Sequence, residues 1–199
     1  MSRGTLQEIS AIVIGASAGG VEALGVLLPA LPAQCRASVL IVVHMPRQRP
    51  SLLKDLFTAR CALLIREAQD KQPLEPGTVY FAPPDYHLMV EPNEDGNPSV
   101  ALSVDEPVLF SRPSIDVLFE SAAECWGRQL MGIILTGANS DGVRGLAAVS
   151  QAGGITVVQD PQEAVADTLP AGAVRTGLAQ HVLPLPGIAA LLAQTGLAP

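Results

Sequence analysis

A chain of 199 residues with 48% hydrophobic but only 4% aromatic side chains can bury one substantial core, built mainly from Ala, Val, Leu and Ile. A net charge of −7 and a pI of 4.8 argue against binding to a phosphate backbone, and so against nucleic acid, and against an anionic membrane surface. Cys35, Cys61 and Cys125 are odd in number and widely spaced, which points to reduced core thiols of a cytoplasmic protein and excludes a disulfide framework.

Taken from the amino terminus, residues 11–14 predict a strand and residues 21–28 a helix. Hydropathy alone would admit a signal or membrane segment over residues 11–31. Glu22, the central glycines, Pro29 and a leader holding both Arg3 and Glu8 argue against export and against membrane insertion. A strand over 38–43, a helix over 51–59 and strands over 62–65 and 79–82 follow. Leu88-Met89-Val90 and Val100-Ala101-Leu102 flank a Pro-, Asn- and Gly-rich turn, which predicts an antiparallel hairpin within 87–104. Arg112-Pro113-Ser114 opens a helix over 114–126, with Ser111 or Ser114 as its cap. The remaining candidates are strands over 131–136, 155–159 and 181–183 and helices over 142–151 and 187–194.

The runs around Ile12, Leu40 and Ile133 are nearly continuous in apolar residues, as expected where helices cover both faces of a parallel sheet. The expected architecture is therefore α/β: a doubly wound, mostly parallel sheet with helices on both faces and one antiparallel hairpin insertion, forming a single domain over residues 1–199. In such a sheet, ligands gather at the carboxyl ends of the strands.

Three residues fall just after predicted strands at that edge. Ser17 lies in Ile14-Gly15-Ala16-Ser17-Ala18-Gly19-Gly20, His44 ends the second strand in Val43-His44-Met45-Pro46, and Asp141 follows the strand over 131–136. A dinucleotide loop would want a glycine at position 17 and an acid where His44 stands. The pattern Gly15-x-Ser17-x-Gly19 matches a nucleophile elbow only locally, because α/β-hydrolases order their triad serine, acid, histidine. The chemistry instead fits Ser17 as nucleophile, His44 as general base and Asp141 as the group that orients the imidazole. Backbone N–H groups near Ala18, Gly19 and Gly20, or at Ala138, are candidate oxyanion donors. Taken alone, Asp141 reads as a cap for the helix starting at Gly142, and His87 and His181 as structural or exposed residues.

These segments resemble the catalytic domain of CheB-type chemotaxis methylesterases. The resemblance also covers Ala82-Pro83-Pro84-Asp85-Tyr86-His87, Arg112-Pro113-Ser114-Ile115-Asp116-Val117-Leu118-Phe119, Ile134-Leu135-Thr136-Gly137 through Asp141-Gly142, Gln151-Ala152-Gly153 and Gln159-Asp160. It implies a doubly wound fold and a cytoplasmic serine hydrolase that removes glutamyl methyl esters from chemoreceptor helices, releasing methanol. Deamidation of receptor glutamines, found in some members, is implied as well. Ser17, His44 and Asp141 match the family's catalytic serine, histidine and aspartate. The implied partners are the methylated cytoplasmic helices of chemoreceptors and a separate regulatory protein.

The chain departs from the family pattern at Ala138-Asn139, where members usually carry Met-Gly, and at Ala18, where a threonine is common. Asn accepts left-handed backbone better than most residues, so the turn at Asn139 is expected to survive. Because only about ten residues precede the first predicted strand, the resemblance implies a freestanding esterase domain, or an excised one, without a receiver domain. Two other readings stand beside it: a non-catalytic receptor-binding module of the same fold, and an esterase acting on a different protein or small ester. No cofactor and no metal site is expected, since no metal-ligand spacing occurs and triad chemistry needs none. Arg47 and Arg144 are candidate contacts for substrate or partner; a solvated loop and a surface ion pair are their simpler accounts.

Overall fold

The computed structural model describes Leu6, residues 8–45 and residues 52–196. Its strands in chain order are β1 (Ala11–Ala16), β2 (Ser38–Val43), β3 (Leu64–Glu67), β4 (Thr78–Phe81), β5 (His87–Pro92), β6 (Pro98–Ser103), β7 (Leu130–Ile134), β8 (Ile155–Gln159) and β9 (His181–Leu183). The helices are α1 (Gly20–Leu27), α2 (Leu53–Thr58), α3 (Ile115–Trp126), α4 (Val143–Gln151), α5 (Thr168–Arg175) and α6 (Leu185–Leu192). Seven strands form one sheet in the order β3-β4-β2-β1-β7-β8-β9, and every pairing in it is parallel. β5 and β6 pair antiparallel with each other, apart from that sheet.

The central strands bury every residue, which is why they read as unbroken apolar runs. Alternation along each strand divides those residues between two cores. Ile12, Ile14, Ile41, Ile133 and Val157 face Leu24, Leu27, Phe57 and Ile188, so α1, α2 and α6 cover one side. Val13, Leu40, Val42, Ile134 and Val158 face Ile115, Leu118, Phe119, Leu146 and Leu169, so α3, α4 and α5 cover the other. Leu88, Val90 and Val100 of the hairpin join this second core. Each such side chain contributes about 1.5–3 kcal/mol on burial.

The chain runs outward from β1 through β2 on one side and returns to start again at β7 on the other. The β1–β7 junction is therefore the switch point where loops part and leave a crevice. Helix α5, which carries Pro170 and Gly172, has no counterpart among the predicted elements. Pro170 falls in the first turn, where a missing N–H costs nothing. The predicted strand over 62–65 lies two residues later, at Leu64–Glu67. It is a sheet edge with Leu64 and Glu67 exposed, so its apolar residues do not mark its limits.

The three cysteines are free, with Cys35 buried and the other two half-buried. Burial pushes all three thiols up, away from thiolate reactivity. No described helix is long and apolar enough to cross a membrane.

Candidate active site at the carboxyl rim of the sheet

The parallel register places Ser17 and His44 side by side. Ala16 pairs with Val43, and the next residue on each strand is Ser17 and His44. Backbone bonds hold that step: His44 N–H donates to Ala16 C=O at 3.0 Å, and Ser17 N–H donates to Thr136 C=O at 2.9 Å. Neighbouring strands lie about 4.8 Å apart, so two residues at this position project from adjacent sites on the rim. The chain then turns into α1 through Gly19, whose φ of 80° belongs to the left-handed region. A Cβ there would stand 2.7 Å from Cβ of Val165, so a side chain fits neither the backbone nor the space.

Asp141 follows β7 and is fully buried. His44 Nε2 lies 2.8 Å from its Oδ2. Three further donors reach the same carboxylate. Ser114 Oγ donates to Oδ1 at 2.7 Å, Ile115 N–H to Oδ2 at 2.7 Å and Asp116 N–H to Oδ1 at 3.1 Å. Burial alone would push this carboxyl up; the bonds from His44, Ile115, Ser114 and Asp116 outweigh it and hold the group below the ordinary aspartate value. An ionised carboxylate only accepts, so the hydrogen between the pair sits on Nε2 and the lone pair on Nδ1. That Nδ1 is buried and makes no hydrogen bond. The ring is thus turned opposite to the template in which Nδ1 faces the aspartate and Nε2 the serine.

Asp141 does not cap the helix that follows it, contrary to the simplest reading of its position. Its carboxylate caps the amino end of α3, where Ser114 is the N-cap residue. The amino end of α4 is served in return by Asp116, whose Oδ1 accepts from Gly142 N–H at 2.9 Å and Gly145 N–H at 2.7 Å. Two adjacent helices thus exchange capping carboxylates, and each exchange fixes the loop that carries the other. Burial pushes the Asp116 carboxyl up despite those two bonds, and the nearby Asp141 charge adds to the effect. Gly15 lets α3 come this close: a Cβ on it would lie 2.3 Å from Cγ2 of Ile115.

Around Ser17 the rim is shallow, with Ala18 and Ala138 exposed. The N–H groups of Ser17 and Gly137 are taken, the latter by Ala166 C=O at 2.9 Å. Those of Ala18, Gly19 and Ala138 make no hydrogen bond among the described residues. The Ser17 hydroxyl likewise makes none, so Ser17 and His44 stand adjacent but unbonded. Asn139 does not adopt the left-handed backbone expected of it. Its Oδ1 instead accepts from Asp141 N–H at 3.2 Å and its Nδ2 donates to Ser111 Oγ at 3.3 Å, so the side chain braces the turn.

Arg47 falls outside the described residues. Arg144 is mostly exposed and pairs with Glu120 at 2.5 Å, standing 3.8 Å from the far oxygen of Asp116. His87 is buried, with its Nδ1 accepting from Ser114 N–H at 3.2 Å and its Nε2 3.2 Å from Glu106 C=O. Sequence reasoning saw Ser114 as a cap and His87 as structural, and missed that both stand behind Asp141. The available signal was the Arg-Pro-Ser helix start, which marks a cap without showing what its hydroxyl meets.

Comparison with known proteins gives a consistent picture. The family model described as CheB methylesterase matches residues 12–192. A relative from Leptospira interrogans is 43% identical over 91% of this chain and 92% of its own. The protein-glutamate methylesterase/protein-glutamine glutaminase 2 of Caulobacter vibrioides is 38% identical over 93% of this chain and 53% of its own. Among solved structures, the catalytic domain of the Thermotoga maritima CheB methylesterase matches with a TM-score of 0.89 and 31% identity, over 94% of this chain and 98% of that one. With the same fold and a family model that spans nearly its whole length, this chain belongs to the CheB methylesterase family.

Proposed function

We propose that this protein is a protein-glutamate methylesterase in which Ser17, His44 and Asp141 form the catalytic triad. The observation that carries the reading is the 2.8 Å pairing of His44 with a buried, ionised Asp141, which leaves Nδ1 of the ring free one register step from Ser17. Catalytic hydrogen bonds are often loose until substrate is bound, so the unbonded Ser17–His44 pair is compatible with it.

In the first half-reaction, Ser17 Oγ attacks the γ-carbonyl carbon of a glutamyl methyl ester while its proton passes to His44 Nδ1. The tetrahedral oxyanion takes hydrogen bonds from free N–H groups among Ala18, Gly19 and Ala138. The carbon–methoxy bond breaks, the imidazolium returns its proton to the departing oxygen, and methanol leaves an acyl ester on Ser17. Water then attacks that ester and passes a proton to Nδ1; on collapse the imidazolium returns the proton to Oγ, which restores Ser17, and the released glutamic acid ionises to the carboxylate. Asp141 accepts from Nε2–H throughout and stabilises the imidazolium. The same steps release ammonia from a glutamine amide, in keeping with the names of the relatives.

The shallow rim favours an ester that projects from the surface of a folded partner over a small molecule buried in a deep pocket. The methylated helices of chemoreceptors fit that description, and the site of action is then the cytoplasm. Ser17→Ala is expected to abolish methanol release from methylated receptor while leaving the circular dichroism spectrum intact. An activated-serine reagent is expected to label Ser17 in the native protein. Full methanol release by the folded variant would refute the assignment of the nucleophile.

A further inference from the structure

Ser114 is fully buried, and its hydroxyl has two neighbours. It accepts from Val117 N–H at 3.3 Å as the cap of α3 and donates at 2.7 Å to Oδ1 of Asp141. A hydroxyl has a single proton, so the cap bond fixes its acceptor side and leaves its donor for the carboxylate. Behind it, Nδ1 of the buried His87 accepts from Ser114 N–H, which makes His87 a neutral ring with its hydrogen on Nε2, facing Glu106 C=O. Ser114 is thus held from both sides, its backbone N–H by His87, which reaches Glu106 C=O, and its hydroxyl by Asp141, which reaches His44.

We propose that Ser114 is a positioning residue of the hydrolase, which holds the Asp141 carboxylate against His44 through its hydroxyl and is itself anchored by His87. The proposal rests on the triad reading given above. Oδ2 of Asp141 is shared by His44 and Ile115 N–H, whereas Oδ1 meets Ser114 and Asp116 N–H. Without the hydroxyl, Oδ1 keeps only the longer 3.1 Å bond from Asp116 N–H, and the carboxylate is freer to rotate away from the ring. The loss also concentrates charge on the carboxylate, which favours the protonated imidazole. Among the described residues, the charged side chains of Asp116, buried in the first turn of α3, and of Arg144, exposed beyond it, also stand near the pair, and neither side chain bonds to Asp141 or His44.

The test separates donation from capping. Glycine caps a helix almost as well as serine but has no hydroxyl, whereas threonine keeps both functions. In Ser114→Gly, kcat for methanol release is expected to fall about tenfold or more, the loss of one hydrogen bond to a charged group, with KM little changed. The acid limb of kcat/KM is expected to move to higher pH, because the Asp141 carboxylate has lost a donor. Ser114→Thr restores both. If Ser114→Gly does not fold, Ser114→Cys, with its weak donor, replaces it with the same expectation. A kcat within twofold of wild type with an unmoved limb, or a threonine variant as impaired as the glycine one, overturns the proposal. Activity retained in Ser17→Ala overturns the triad reading instead, so the two failures are told apart.

Discussion

The two halves of the rim are built on different principles. On the β1–β2 side, Ser17 and His44 are placed by strand register, and neither the serine hydroxyl nor the Nδ1 of the ring has a hydrogen bond among the described residues. On the α3–α4 side, Asp141 accepts four hydrogen bonds and Asp116 two, all within a buried core. The difference suits the roles proposed for each half. Groups that pass a proton need unoccupied lone pairs and some freedom to approach. A charge that stays put throughout the reaction must be desolvated without being neutralised, and that takes a full set of donors.

The comparison can be broken at several points. The largest effect is expected from Asp141→Asn, which puts an amide where three protein donors and a ring N–H converge. A fall of about 10⁴-fold in kcat for methanol release is expected from losing the tautomer that this carboxylate selects. Gly15→Ala tests the close approach of α3 to the sheet, since its methyl would displace Ile115, one of the donors to Asp141. Overpacking there is expected to cost about 1–3 kcal/mol in a urea unfolding experiment, and methanol release is expected to fall with it.

The pH dependence of stability follows from the signs of the two carboxyl shifts. Asp141 is held below its ordinary value, so its contribution is present above the unfolded pKa of about 3.9 and is lost as pH falls through the folded value. Asp116 is pushed above its ordinary value, so its contribution is present at acid pH and fades as pH rises through the folded value. Unfolding midpoints measured from pH 3 to pH 7 in wild type and Asp116→Asn separate the two. The fade on the alkaline side is expected to vanish in the variant while the acid loss remains. The smallest effect is expected at Arg66, which meets Glu75 at 3.1 Å on an exposed sheet edge. Arg66→Ala is expected to change stability by less than about 1 kcal/mol, with methanol release unaltered.

The strands and most helices were legible because the pattern that predicts them is the pattern that buries them. Residues 38–43, 155–159 and 181–183 were read with the limits that the sheet has. The places that misled are those where a local rule lost to a tertiary one. Helix α5 was not among the predicted elements; it forms with Pro170 in its first turn, where a proline is harmless, and Gly172 inside it. Asn139 was expected to supply a left-handed turn but instead braces it with its side chain. Asp141 was positioned to cap the next helix and caps a different one.

Ser17, His44 and Asp141 could be picked out before any coordinates because each follows a strand, and a parallel sheet gathers the ends of its strands on one edge. Which nitrogen of His44 faces the carboxylate, and that Ser114 and His87 stand behind it, was decided only by the packing of α3 against β1 and α4. Register is carried along the chain by the alternation of side chains, so sequence encodes it. The partners of a buried polar group are chosen from residues 25 or more positions away, and no local pattern records which of them will meet.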